Sequence, residues 1–590
     1  MREHGKQSKK GGRRGLRIAL LVAAAVLLTA LCGFFVLLVK VKGNLSYVYN
    51  YFVRTKGSLP AVCNTEAASA KGLPGASAET APDLFLAGTK VIVNDTETDG
   101  YVREKAITFA EEDLNTEHKN RGIITFRGNY HRSLTSFGTI AGTETKLQKD
   151  WQVKTGRFLK DDGVNYWSGN GWTGQPLVIE WSAAQRQVMN LYPNAKAKEG
   201  LKEVIYPGMD GMIRFLDLDT GEATRDPISV GMTFKGTCSL HPDMPLLICG
   251  SGDSATGPFG EQVSARFFLY SLIDGKKLYE FAANDPFAPR RWHGFDSSPV
   301  FAAEADTVIC PGENGILYTV RLNSAYDAEA GTLSVNPDEL VRYIYDSKAS
   351  RDRYEASESD IGSGSESSAV VWEHYLFFGD NGGVFQCLDL NTMTPVWVQD
   401  LKEDINASPV LETEEDGSVS IYVGTTLKYH TDRYHTGEAC VYKINACDGS
   451  IIWKKPYEVH TVSGLAGGIL SSGASGSGEV APYIYFAVSK TPSVNSGYLV
   501  ALRKDNGEEA WRIELPCDAW SSGCLVYGQN GAARLVQCLG NGDICLIDAL
   551  RGEVLSRINY GTNIESTPAV FKNRIVVGLR SEYIIGARIE

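Results

Sequence analysis

The sequence predicts an all-β chain, an eight-bladed β-propeller behind an N-terminal transmembrane helix. Three observations carry this expectation. Gly is abundant at 61 residues, Trp and Tyr number 10 and 27, and Met only 7. With few long amphipathic periods, that composition suits short strands and tight turns. Next, residues 367–397 pack four short apolar runs (AVV, YLFF, VFQCLDL and PVW) around Asp380-Asn381-Gly382-Gly383. Asn-Gly between β-rich runs is a strong hairpin signal, read here as a turn with positive φ at both central residues. Such a sheet cannot bury both faces alone, so it needs neighbours of its own kind. Last, its opening recurs along the chain.

Each blade should begin with a small-residue, proline-tolerant inner strand. Eight such starts occur, at Gln175-Pro176, Thr237-Cys238, Ser298-Pro299, Ser368-Ala369, Ser408-Pro409, Gly468-Ile469, Ser522-Gly523 and Thr567-Pro568. Turn signals recur at Met209-Asp210-Gly211, Glu313-Asn314-Gly315 and Gly540-Asn541-Gly542. Near the third-to-fourth strand turns, Gly221, Gly449 and Gly507 precede Arg225, Trp453 and Trp511, and Trp397 holds the same place after Thr392. Gly permits the tight turn, and Trp is expected to cover the seam against the next blade. From Ser566 to Glu590 there is chain for three strands only, and Trp151-Gln152-Val153-Lys154 is an orphan fourth. Pairing the two closes the ring and leaves no free sheet edge.

The N-terminal part divides into a basic tail (1–17), an apolar span (18–39), and a stalk and lead-in (40–123), with the propeller over 124–590. Ile18 to Val39 is uncharged and long enough to cross a bilayer as a helix. Seven basic residues precede it and two follow closely. The N-terminus is therefore expected in the cytoplasm and the propeller outside the cell or in a periplasm. A cleaved signal peptide has a shorter apolar region, so the anchor is read as retained. Gly57 to Pro82, rich in Ala, Ser, Gly and Pro, reads as an extended tether. Net charge is -12 although the first 42 residues hold nine Lys and Arg against one Glu. The body is thus acidic, which argues against nucleic acid or anionic lipid as its partner.

Residues 124–133, ITFRGNYHRS, stand just ahead of the Trp151 strand. With the degenerate Asp-x-x-Thr-Gly and Trp positions above, they resemble propellers built from pyrroloquinoline-quinone-type repeats. They are also similar to the propeller subunit of the outer-membrane protein assembly machinery. The resemblance covers roughly residues 124–590 and speaks to fold more than to function.

Inner-strand starts, blade-to-blade loops and second-to-third loops should share one mouth of the channel, where Asp296, Glu366, Asn406 and Glu565 precede the proline position by three residues. Trp520 holds the same place, and His293 lies nearby. These six are the candidate binding residues. The resemblance implies an alternative, a pyrroloquinoline quinone (PQQ) and calcium oxidoreductase using the Asp296–Glu366–Asn406 rim, since such oxygen ligands suit calcium. The chain lacks the adjacent Cys pair of the alcohol-oxidising members, and no cofactor is expected. His430, Asp432 and His435 have metal-ligand chemistry but read as a loop lip. Cys538 and Cys545 are expected to face each other across a hairpin as buried free thiols. The reading is a non-catalytic envelope module binding a protein, a peptide or a wall component, with glycan binding as a further alternative.

Overall fold

The computed structural model describes residues 10–40, 53–64, 71–110, 121–160 and 162–590, apart from 171, 173, 253–254, 257–261, 291–293, 351–361, 428–434 and 463–464. It separates into two units, Met1–Arg54 and Thr55–Glu590. Within the first, the helix Lys10–Lys40 contains Ile18–Val36, a stretch long and apolar enough to cross a membrane.

The second unit is an eight-bladed propeller. Blade 4 shows the plan most simply: Val370–Trp372, Tyr375–Gly379, Val384–Asp389 and Thr394–Asp400 pair in sequence, antiparallel throughout. The four runs expected from the sequence are these strands. Their turn differs from the expected one. Of its glycines only Gly383 has positive φ, +85°, and Asp380 Oδ1 receives the N–H of Val384 at 2.8 Å. The longer loop needs one left-handed residue at its end rather than two at its centre.

A belt of hydrogen bonds at the inner-strand starts fixes the blade count. The N–H of Ser298 donates to Ser368 Oγ (2.9 Å), Ser368 to Ser408 (2.8 Å), and Ser408 to Ser472 (3.0 Å). Ser472 donates in turn to Ser522 (2.9 Å), and Ser522 to Thr567 Oγ1 (3.3 Å). Thr567 N–H then reaches the Gly174 carbonyl (3.2 Å), Gln175 N–H reaches Thr237 Oγ1 (2.6 Å), and Ser298 Oγ donates to the Thr237 carbonyl (2.8 Å). The circle closes. It corrects one expected start, because blade 6 begins at Ser472, ahead of the inner strand Ala474–Ser475. Gly467–Gly468 instead bridges Thr426–Leu427 to Tyr483–Ser489. In a run so rich in small residues, register is set by which hydroxyl meets its neighbours.

Blade 8 joins the chain ends as expected, with Leu147–Lys154 pairing along Tyr583–Ile589. The seams are also as expected. Indole N–H groups of Trp151, Trp397, Trp453 and Trp511 donate to carbonyls of the following blade, at Leu218, Ala446, Lys504 and Ala549, at 2.9–3.0 Å. Arg225, the departure from the Trp pattern, makes the equivalent bond to Leu272 at 2.5 Å while ion-paired to buried Glu203. The guanidinium replaces the indole N–H.

The segment that the sequence marked as a tether is extended but lies against the blades. Val62–Cys63 adds to the outer strand of blade 5, and Leu86–Val93 adds to that of blade 3. From this strap Arg103 reaches the Leu390 carbonyl of blade 4 at 3.1 Å, standing in for the seam donor of blade 3. The conformational cost of ordering the strap is offset by these backbone bonds and by burial of Tyr101, Ile107 and Phe109.

The ITFRGNYHRS segment fills the channel. It pairs with blade 1 at Gly122–Ile123, turns at Arg127–Arg132, and returns along blade 8 at Ser136–Phe137. Arg127 and Arg132 are fully buried. Arg127 donates to the carbonyls of Gly473, Gly523 and Arg132, and Arg132 to those of Ser298, Ala369 and Phe126. Two guanidiniums thus tie blades 3, 4, 6 and 7 to the plug, each satisfied by carbonyl oxygens at the channel centre.

One disulfide joins Cys238 and Cys249, neighbouring strands of blade 2. Cys538 and Cys545 are buried and free, as expected, but the register sets Cys538 opposite Ile544 rather than opposite Cys545.

Candidate functional site

With the channel filled from the far side, the mouth is a blind cup, closed beneath by the plug that the fully buried Arg127 and Arg132 tie to the blades. Its wall comes from the residues before each inner strand and from the second-to-third turns. Five of the six sequence candidates fall into two arcs. His293 lies outside the described residues.

The acidic arc spans blades 3 to 5. Asn381 sits at its centre, donating through Nδ2 to Glu366 Oε1 (3.1 Å) and Asp404 Oδ1 (2.9 Å), and accepting from Arg290 at 2.6 Å. Asn406 Nδ2 donates to Asp404, whose carboxylate also receives Thr426 Oγ1 at 3.0 Å. Glu313, fully buried beside Asp296 and Glu366, is pushed well above the usual carboxylate range by burial and then by those two charges. Lys235 and Arg290 act in the opposite direction. Asp380 is raised to about 7 by burial, against the hydrogen bond from Tyr345 at 2.6 Å.

Three of these groups were named in the sequence only as turn residues. Glu313, Asp380 and Asn381 open tight turns; Asn381 reaches Glu366 and Asp404 in the arc, whereas the Asp380 carboxylate is taken up by Tyr345 and by the N–H of Val384. Lys235 was missed as well. It stands three residues before Cys238, the register that singled out Asp296, and repeating the offset on blade 2 finds it.

The aromatic arc spans blades 6 to 8 and the start of blade 1. Trp520 and Glu565 meet here, lining one cleft of about 340 Å³ with Asn563, Asp518, Val494 and Leu465. Asn563 Nδ2 donates to Glu565 Oε1 at 2.6 Å. Burial raises the Glu565 carboxyl, and Arg580, 3.4 Å away, partly opposes it. Trp520 contacts Trp172 with ring centres 6.0 Å apart, and Trp172 contacts Trp167 at 6.1 Å. Arg580 and Lys235 lie 5.0 and 5.5 Å from the Trp172 ring, within cation–π range.

The acidic arc does not fit a calcium–quinone group. Glu366, Asp404 and Asn406 are engaged with one another through Asn381, and Arg290 brings a positive charge among them. Among the described residues no three His, Cys, Asp or Glu converge as a metal-ligand set. His435 is described, its backbone N–H donating to Thr461 Oγ1 at 3.1 Å, whereas His430 and Asp432 lie outside the described residues.

No family model matches the chain, and no curated protein does. Solved structures similar to it include the computationally designed Ika8 protein, at 12% identity over 76% of this chain and 100% of that one, with a TM-score of 0.42. BamB from Moraxella catarrhalis matches at 11% identity over 70% of this chain and 96% of its own, TM-score 0.41. Quinohemoprotein alcohol dehydrogenase from Comamonas testosteroni matches at 11% over 81% and 82%, TM-score 0.38.

Proposed function

We propose that the chain is a membrane-anchored, extracytoplasmic propeller that binds a protein, peptide or wall component at its mouth and does not turn over a substrate. Its parts are a basic tail (1–17), a span (18–39), a stalk and lead-in (40–123) and a propeller (124–590). The observation that carries this reading is the blind cup. A buried arginine plug closes one side of the channel, while an open, Trp-lined cleft of about 340 Å³ remains on the other. Loops on a rigid scaffold are where recognition is built, and a concave, partly apolar site with a few polar groups is the usual form of a binding pocket. Asp296, Glu366 and Asn406 shape one side of the cup, and Trp520 and Glu565 the other.

Site-specific photocrosslinking in intact cells tests this. A benzophenone amino acid replaces Leu465, exposed at the cleft, or Leu550, exposed on the third-to-fourth turn of blade 7 at the opposite face. The expected result is a discrete adduct from position 465 and none from 550. Adducts from 550 alone, or from neither, overturn the reading.

A further inference from the structure

Between the outer strand of blade 8 and the inner strand of blade 1 stands a small hairpin, Arg157–Leu159 paired with Tyr166–Ser168. It is a blade-to-blade connection, so it rises from the mouth face. Leu159, Val164 and Tyr166 are 43, 76 and 44% exposed, a group of apolar side chains within eight positions. Basic groups lie on the rings behind them. The Arg157 guanidinium is 4.1 Å from the centre of the Tyr166 ring, and Lys160 Nζ is 3.8 Å from that of Trp167. Lys235 lies 5.2 Å from the same Trp167 ring. The tip also carries two acids, Asp161 and Asp162; the Asp162 carboxylate is held by the turn, accepting from the N–H groups of Val164 and Asn165 and from Asn165 Nδ2.

An apolar tip with Tyr and Trp behind it and Arg and Lys at their level is the arrangement that suits a bilayer interface. The tip enters the headgroup–acyl boundary, the rings sit at headgroup depth, and the cations meet phosphates. A second observation points the same way. The strap reaches the propeller on this same face, where Thr55 N–H donates to the Pro492 carbonyl (2.8 Å) in the second-to-third loop of blade 6. The covalent path from Val36 to Thr55 is at most about 65 Å even when fully extended.

We infer that the Leu159–Tyr166 hairpin is a lipid-contact element that docks the mouth face on the surface of the bilayer. The inference rests on the anchor being retained, as proposed above. The ligand of the cup would then be one presented at the membrane surface.

Residues 1–54 contain no Trp, so tryptophan quenching by lipid reports on the propeller alone. The full chain is reconstituted into vesicles of phosphatidylcholine and phosphatidylglycerol carrying a headgroup nitroxide. Carbonate extraction is scored first. A chain that washes off overturns the anchor, and with it this inference. For a retained chain, quenching of about a fifth of the emission is expected if Trp167 and Trp172 are reached among ten tryptophans. Leu159→Asp with Val164→Asp should abolish that quenching while the melting curve stays in place. A retained chain that shows no quenching, or quenching that both aspartates leave unchanged, overturns the lipid contact and leaves the binding reading standing.

Discussion

The ring of Trp397 lies directly on Gly449. A Cβ placed on that glycine would come within 2.6 Å of the indole, and the backbone there has φ +74°. The two residues sit on different blades, and the indole N–H continues into the Ala446 carbonyl at 2.9 Å. The same pairing of an indole with the next blade's turn glycine recurs for Trp151 with Gly221, Trp453 with Gly507, and Trp511 with Gly552. Each seam is therefore closed by one residue that covers and one that makes room.

Trp397→Phe keeps most of the buried ring but removes the N–H, and should cost about 1 kcal/mol. Gly449→Ala should cost more, since left-handed backbone strain adds to a clash with a ring that has no room to move. Thermal unfolding of both variants checks the order, which reverses if the glycine serves only the turn.

Arg225→Met leaves the Glu203 carboxylate buried without its partner and should destabilise by about 3–5 kcal/mol. Adding Glu203→Gln should recover much of that loss. Denaturant titration of the single and double variants measures the coupling.

Arg103→Ala should loosen the strap without unfolding the ring. Hydrogen exchange is expected to rise over residues 82–110, which Arg103 ties to Leu390 and Thr319, while the strands of blade 4 remain protected. Uniform deprotection would mean that the strap is integral to the ring.

Asp380 gives a pH dependence of defined sign. Its folded value, about 7, lies above that of an unfolded Asp. Between about pH 4 and 7 the folded state holds a proton the unfolded state has lost, so stability falls as pH rises through that window. Glu313, also raised by burial, acts with the same sign. Asp380→Asn should flatten the slope, as read from melting temperatures across the range.

Alkylation and intact mass should show one disulfide, Cys238–Cys249, in protein isolated from the envelope, and its reduction should cost about 3 kcal/mol for so short a loop. An unbridged pair in that material would contradict the oxidising location proposed for the propeller.

How far the site was legible in the sequence depended on register. Trp520 and Glu565 were found from their offset to the inner strand, and the cleft brings them together. Lys235 follows from the same offset applied to Thr237-Cys238, the opening of blade 2. Glu313, Asp380 and Asn381 were read as turn formers, because a sequence shows what a short polar residue does for its own backbone and not where its side chain points.

Local pattern determined the rest of what the sequence could give. Alternating apolar runs, turn glycines and an orphan fourth strand that completes the three-stranded last copy suffice for a closed ring, because each depends on neighbours within a few positions or on simple counting. Tertiary structure alone decided that ITFRGNYHRS enters the channel as a plug, that Arg103 substitutes for a missing seam donor, and that Cys238 bonds Cys249. The first two depend on carbonyls contributed by residues hundreds of positions away, which only the assembled ring brings within hydrogen-bonding distance, and the disulfide, eleven residues apart, depends on the register of two strands of one blade.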